Sequence, residues 1–244
     1  MISDNFKINE LEQSILWPCD LSLDFKRSLL KLATIQTRKQ GYYFLSSKDT
    51  SDGLYYILSG SLIMSIRTKD FHHFTHNLIG QNEFLYYGSL MENKVQDSLS
   101  AEMLQDTLML KISEQDIQTL EKEQPEFYKF MFSLLKKRTL PLIQKGLLNQ
   151  KFSIDIKVAF MLLEVASKQT SVQGSVMLLN ITQQQLGDIA DVTRQRVNAV
   201  LKQFQQQQIV ELDRGKIYLY KPRMLMDLLK KENLSFYMPT INKE

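Results

Sequence analysis

From Ile35 to Ile112 the apolar residues fall in short alternating runs separated by turn residues. Gly41–Leu45, Leu54–Leu58, Ser61–Ile66 and Leu108–Ile112 are examples. Strands of this length and spacing predict a small β-roll or barrel. Before them, Phe25, Leu29, Leu30 and Leu32 mark a short helix begun near Ser22. After them the period lengthens. Ser113 stands as an N-cap ahead of Ile117 and Leu120. Gln124-Pro125-Glu126 then interrupts and starts a longer helix. Phe127, Phe130, Met131, Leu134 and Leu135 form a continuous apolar stripe along it, and Leu142, Ile143, Leu147 and Leu148 follow. Pro141 lies between these groups and is expected to kink or break the helix. The stripe Phe127, Phe130, Met131, Leu134 and Leu142 suits a dimer seam, and equally suits packing on the β-domain of its own chain.

A further amphipathic helix is predicted over Ser153–Ser167, then a polar loop over Gln169–Gly174 and a short strand over Val176–Ile181. Two helices and a turn follow. Thr182 and Gln185 have the spacing of a capping box, ahead of Leu186, Ile189 and Ala190. Asp191-Val192 makes the turn, and Thr193 is placed to cap a second helix whose buried stripe is Val197, Val200, Leu201 and Phe204. That helix is expected to continue through the glutamine run to Gln208. Its other face carries Arg194, Gln195, Arg196, Asn198 and Lys202, and no acid occurs from Thr193 to Gln208. Arg, Gln and Asn are side chains that hydrogen-bond to base edges in the major groove. The hairpin Val210–Tyr220, tipped by Arg214, Gly215 and Lys216, adds a wing suited to phosphate contact. A winged helix-turn-helix with a basic, amide-rich second helix predicts sequence-specific DNA binding. Lys221–Lys231 is predicted as a terminal helix.

Composition sharpens this only in places. The chain of 244 residues is 43% hydrophobic and 23% charged, enough for two domains with real cores. Its net charge of +3 is uneven: residues 1–150 hold 17 basic and 18 acidic groups, residues 151–244 hold 13 and 9. The basic half is the half with the DNA-binding pattern. No apolar run approaches the roughly 20 residues of a membrane span, and no signal peptide is evident, so a cytoplasmic location is expected. The single cysteine, Cys19, excludes internal disulfides and an all-cysteine cluster within one chain. Without a Gly-rich phosphate loop, a metal-spaced His/Glu pair or a supported triad, no enzyme is expected.

The order of elements resembles the Crp/Fnr family of bacterial transcription regulators over nearly the whole chain. Leu54-Tyr55-Tyr56-Ile57-Leu58-Ser59-Gly60-Ser61-Leu62 is similar to its strand–Gly–strand signature, and Ile181–Ala190 with Thr193, Arg194 and Val197–Leu201 to its helix-turn-helix. The resemblance implies an α+β chain. It would have an N-terminal jelly-roll-like β-roll over 1–124, a long dimerisation helix and hinge over 125–152, and a winged helix-turn-helix over 153–244. It implies a homodimer on a palindromic operator, with contact to RNA polymerase. By resemblance Arg194, Gln195 and Asn198 face bases, while Thr182, Thr193, Arg196, Lys202, Arg214 and Lys216 face the backbone. The family's recognition helix opens Ser/Thr-Arg-Glu with another Arg one turn on; here those positions hold Gln195 and Ala199. Gln pairs with adenine where Glu accepts from cytosine, so a different operator is expected.

The effector region departs further. Tyr86 and Tyr87 occupy the family's Gly-Glu positions, and Asp97-Ser98, or two residues on Leu99-Ser100, occupy those of the phosphate-gripping Arg-Ser. Leu142-Ile143 stand where cyclic-AMP-binding members have Thr-Ser. Control by cyclic AMP is therefore not expected, and no cofactor is implied. The remaining candidate pocket comprises Tyr86, Tyr87, Met91, Asp97 and Ser98, either filled by its own side chains or open to an apolar or peptide-like ligand. His72, His73 and His76 are either exposed hairpin residues or a metal or haem site, and the exposed alternative is preferred. The alternative function is a ligand-sensing regulator that acts through protein partners with a weak or vestigial winged helix.

Overall fold

The computed structural model describes residues 5–45, 52–67, 73–87, 99–169, 172–173, 176–213 and 216–232. The chain divides into two compact units, Met1–Arg67 with Ile79–Thr139, and Thr68–Leu78 with Leu140–Glu244.

In the first unit, helices α1 (Asn5–Ser14) and α2 (Leu23–Leu32) precede the strands. The hydroxyl of Ser22 caps α2 by accepting from Phe25 N at 3.1 Å. It also donates to Glu126, and this bond holds the Glu126 carboxyl below its ordinary pKa. The strands are β1 (Thr34–Arg38), β2 (Tyr43–Leu45), β3 (Gly53–Ser59), β4 (Leu62–Arg67), β5 (His73–Ile79, of which all but Ile79 is assigned to the second unit), β6 (Phe84–Tyr87), β7 (Leu99–Met103) and β8 (Thr107–Ser113). One antiparallel sheet runs β1-β8-β3-β6; in another, β7 pairs with both β2 and β4. Gly60 joins β3 to β4 at φ +92°, and a Cβ there would stand 2.6 Å from the Asp106 carbonyl oxygen. Only glycine meets both demands.

The β3 run is apolar at successive positions because both faces of its sheet are covered. Leu54, Tyr56 and Phe84 point to one side, where they pack with Phe25, Leu29, Leu30, Leu120 and Phe130. Tyr55, Ile57, Leu85 and Tyr87 point to the other and meet Leu62, Met64, Ala101 and Met103 of the second sheet. The phenol of buried Tyr56 keeps hydrogen bonds, accepting from Leu16 N at 3.0 Å and donating to Asn82 Oδ1 at 3.1 Å.

Helices α3 (Glu114–Glu123, capped by Ser113) and α4 (Glu126–Lys151) follow. Of the two expected outcomes at Pro141, a kink or a break, the break does not occur: α4 runs on through it. The bond that Pro141 cannot donate would end on Lys137, an exposed residue where solvent can take over. The expected seam residues also need correction. Phe127, Phe130 and Leu134 are buried in the core of their own unit, with Met131 packed against it. The face of α4 left outward carries Tyr128, Phe132, Leu135, Leu142 and Ile143, between 53% and 64% exposed. Of the predicted seam set only Leu142 lies on it, and Leu135, expected in one stripe with Leu134, lies on it as well.

In the second unit, α5 (Ile154–Lys168) is buried on most of its circumference and contacts the helices and strand around it. The unit continues with β9 (Val172–Gln173), β10 (Val176–Leu179), α6 (Gln183–Ala190), α7 (Arg194–Gln206), β11 (Val210–Asp213), β12 (Lys216–Leu219) and α8 (Pro222–Lys231), of which α6, α7, α8 and β10 contact α5. The strand order is β11-β12-β10-β9. Gln169, expected in a polar loop, is instead buried at the end of α5. Its amide accepts from Asn180 N at 2.7 Å and donates to Asn180 O at 3.2 Å, a two-point tie that fixes the chain entering α6.

Candidate nucleic-acid interface

The interface is built from α6, the turn Asp191–Thr193, α7 and the β11–β12 hairpin. The capping box at the start of α6 is formed as expected: Thr182 Oγ1 accepts from Gln185 N at 3.1 Å, and Thr182 N donates to Gln185 Oε1 at 2.9 Å. Leu186, Ile189 and Ala190 are buried. Asp191 ends the helix in the left-handed region at φ 53°, which Asp tolerates better than most residues.

Gly187 sets the closeness of the two helices, and sequence reasoning passed over it. Its carbonyl accepts from Val192 N at 2.9 Å, and a Cβ on it would lie 2.5 Å from the Val192 carbonyl oxygen. The signal available was a glycine inside a short helix, five residues before the turn's end, where a helix former is otherwise preferred. Behind the turn, Lys145 of α4 donates to Thr75 O at 3.0 Å. Burial lowers its pKa, against the opposing pull of the Glu164 and Asp191 carboxylates.

Thr193 has the extended backbone of an N-cap, but its side chain makes no capping hydrogen bond. Val197, Val200, Leu201 and Phe204 form the buried stripe, as predicted. The helix ends at Gln206 rather than Gln208, because Gln208 turns left-handed at φ 56° and Ile209 N closes onto Phe204 O at 2.8 Å. Lys221 Nζ reaches Gln207 O and Gln208 Oε1, each at 3.4 Å.

Arg194, Gln195, Arg196, Ala199, Lys202 and Gln203 are exposed on α7, and Asn198 is half-buried. Among the described residues, Arg194, Arg196 and Lys202 form no ion pair. Their charge and donors are available to an external anion. In the hairpin, Asp213 stands opposite exposed Lys216 in the strand register, while Arg214 lies outside the described residues. An exposed Thr182 stands at the N-terminus of α6, where backbone N–H groups favour a phosphate.

Of the predicted effector residues, the two that are described, Tyr86 and Tyr87, do not face a common pocket. Tyr86 and Tyr87 are neighbours on β6 and point to opposite faces. Tyr87 is buried between the sheets, whereas Tyr86 packs against the helix-side core and donates to Glu114 at 2.9 Å. Met91, Asp97 and Ser98 lie outside the described residues, as do His72 and the side chains of His73 and His76. No described helix is long and apolar enough to cross a membrane.

Residues 156–228 match the model of the Crp-like helix-turn-helix domain. No curated protein sequence matches the chain. Among solved structures, a putative Crp/Fnr regulator from Eubacterium rectale superposes with a TM-score of 0.67 at 20% identity, covering 86% of this chain and 96% of that one. FixK2 from Bradyrhizobium japonicum gives 0.65 at 16% identity, over 80% and 96%. The c-di-GMP-responsive global regulator CLP of Xanthomonas campestris gives 0.64 at 17%, over 82% and 99%. Residues 156–228 are a Crp-like helix-turn-helix domain, carried on a chain with the fold of the Crp/Fnr regulators.

Proposed function

We propose that this protein is a homodimeric, sequence-specific DNA-binding transcription regulator acting in the cytoplasm, not controlled by cyclic AMP. The observation that carries this is the outer face of α7: acid-free, exposed, and cationic without partners among the described residues. Gly187 and the Thr182 capping box hold that face in a helix-turn-helix. Arg194, Gln195 and Asn198 read base edges; Thr182, Thr193, Arg196, Lys202, Arg214 and Lys216 hold phosphates.

Dimerisation is supported by the second apolar stripe of α4. Tyr128, Phe132, Leu135 and Leu142 recur at spacings of four, three and seven, the pattern of a coiled-coil seam, and each is exposed in the single chain. A two-fold dimer would place two α7 helices in successive major grooves, roughly 34 Å apart on a palindromic operator. RNA polymerase is the partner such a regulator would address. Independence from cyclic AMP is supported by Tyr87, whose ring fills space between the sheets, and by apolar Leu142 and Ile143 on α4.

Selection of binding sites from random duplex DNA by the full-length protein tests the reading. A two-fold-symmetric enriched sequence, bound with steep salt dependence, is the expected result. Enrichment of no sequence would overturn it in favour of a regulator acting through protein partners. Unchanged operator affinity on adding cyclic AMP is expected as well.

A further inference from the structure

Of the cations on the α7 outer face, only Lys202 lies on its centre line. At 3.6 residues per turn, Gln195, Ala199, Lys202 and Gln206 point away from the buried stripe, within about 30° of directly opposite. Arg194 and Asn198 lie to one side of this line, Arg196 and Gln203 to the other. Ala199 is exposed at its middle, one turn after Gln195 and just under one turn before Lys202. A lone methyl therefore stands between flanking polar side chains on the face that would enter the groove.

We propose that Ala199 is a specificity-determining residue that reads the C5-methyl group of a thymine in each half-site. This rests on the DNA-binding reading above and deepens it. In the major groove the thymine methyl is the one apolar group on the base edges, and a small apolar side chain is its natural contact. A short residue at the midline also lets the helix backbone approach the groove floor, which a long side chain would prevent. Gln195, one turn earlier on the same line, is suited to bidentate pairing with adenine. The two together specify an A·T-rich core in each half-site. Arg194 and Lys202 can add guanine or phosphate contacts at its margins.

The test uses the full-length protein and the operator obtained by selection. Each thymine is replaced in turn by deoxyuridine, which keeps the base-pairing edge and O4 and removes only the methyl. Affinity is measured by fluorescence anisotropy for the wild type, Ala199→Gly and Ala199→Ser. Burial of one methyl corresponds to about a fourfold change in affinity, so symmetric replacement in both half-sites should weaken wild-type binding about tenfold to twentyfold. In Ala199→Gly the same replacement should have little effect, and in Ala199→Ser it should cost less than in the wild type. The serine variant keeps a Cβ and a higher helix propensity than glycine, and so guards against loss of folding by glycine. A selected operator with no deoxyuridine-sensitive thymine would overturn the assignment to Ala199. So would equal sensitivity in the wild type and both variants. Either result leaves DNA binding itself intact, whereas failure to select any operator refutes the underlying function instead.

Discussion

Replacing Gly187 by alanine places one methyl in the angle between α6 and α7. The added Cβ would meet the Val192 carbonyl oxygen at 2.5 Å, with Arg194 N and Val197 Cγ2 at 3.5 Å. The first contact falls roughly 0.9 Å short of ordinary van der Waals separation. The atom in the way is backbone, and Val192 is tied back to Gly187 by its own N–H. No side-chain rotation relieves it, so the turn itself must open. Two effects compete. In an unobstructed helix Gly→Ala gains about 1 kcal/mol from propensity. Forcing a methyl into packed surroundings costs about 1–3 kcal/mol. The net is a destabilisation of up to about 2 kcal/mol in the C-terminal unit, or several degrees in its melting temperature. The functional loss should exceed this, because opening the turn re-aims α7 and a displacement near 1 Å breaks bidentate base contacts. Circular dichroism melts and anisotropy titrations on the selected operator and on random DNA provide the measurement. Specific affinity should fall at least about tenfold while random-sequence binding at low salt persists. An unchanged melting temperature together with unchanged operator affinity would refute the claim that Gly187 sets the helix angle.

Phe132→Glu should yield a monomer by light scattering with little loss of subunit stability, since Phe132 is 64% exposed in the single chain; a persistent dimer would place the seam elsewhere. Arg194→Ala should cost about 1–3 kcal/mol on the operator and relax discrimination at defined base pairs, whereas Lys216→Ala should weaken all sequences alike and flatten the salt slope. Equal loss on specific and random DNA for Arg194→Ala would remove its base-reading role. The Asp106 carboxylate accepts from Lys39 Nζ at 2.7 Å and Gln40 N at 2.9 Å, which holds its pKa below the ordinary value. Its contribution is therefore present above the ordinary aspartate range and is lost as pH falls through the depressed value. Asp106→Asn should lower the urea midpoint slightly at neutral pH and not in acid; a difference that persists in acid would point to packing instead.

Several elements were legible because their causes are local. Ser22, Ser113 and Thr182 each cap the helix expected of them, and the Thr182–Gln185 box is determined by residues three apart. The buried stripe of α7 follows from period alone. Where local signals failed, a distant partner or a special backbone state decided. Gln169 looked like loop because the backbone groups of Asn180 that it binds are eleven residues away. The glutamine run gave no sign that Gln208 would turn left-handed and end α7 at Gln206.

The sequence by itself determined the kinds of element, their order, and the polar face that marks α7 for nucleic acid. It did so because caps, periods and charge patterns act within a few turns of chain. Only the tertiary structure decided which surfaces are already occupied. Two apolar stripes run along α4, and periodicity does not distinguish them. Packing of Phe127, Phe130 and Leu134 against Phe25 and Phe84 uses one and leaves Tyr128, Phe132 and Leu135 outside. Likewise the adjacent tyrosines of β6 were one candidate pocket as sequence and two separate cores as structure. Successive strand residues face opposite ways, and the destination of each face is settled by chain far from it.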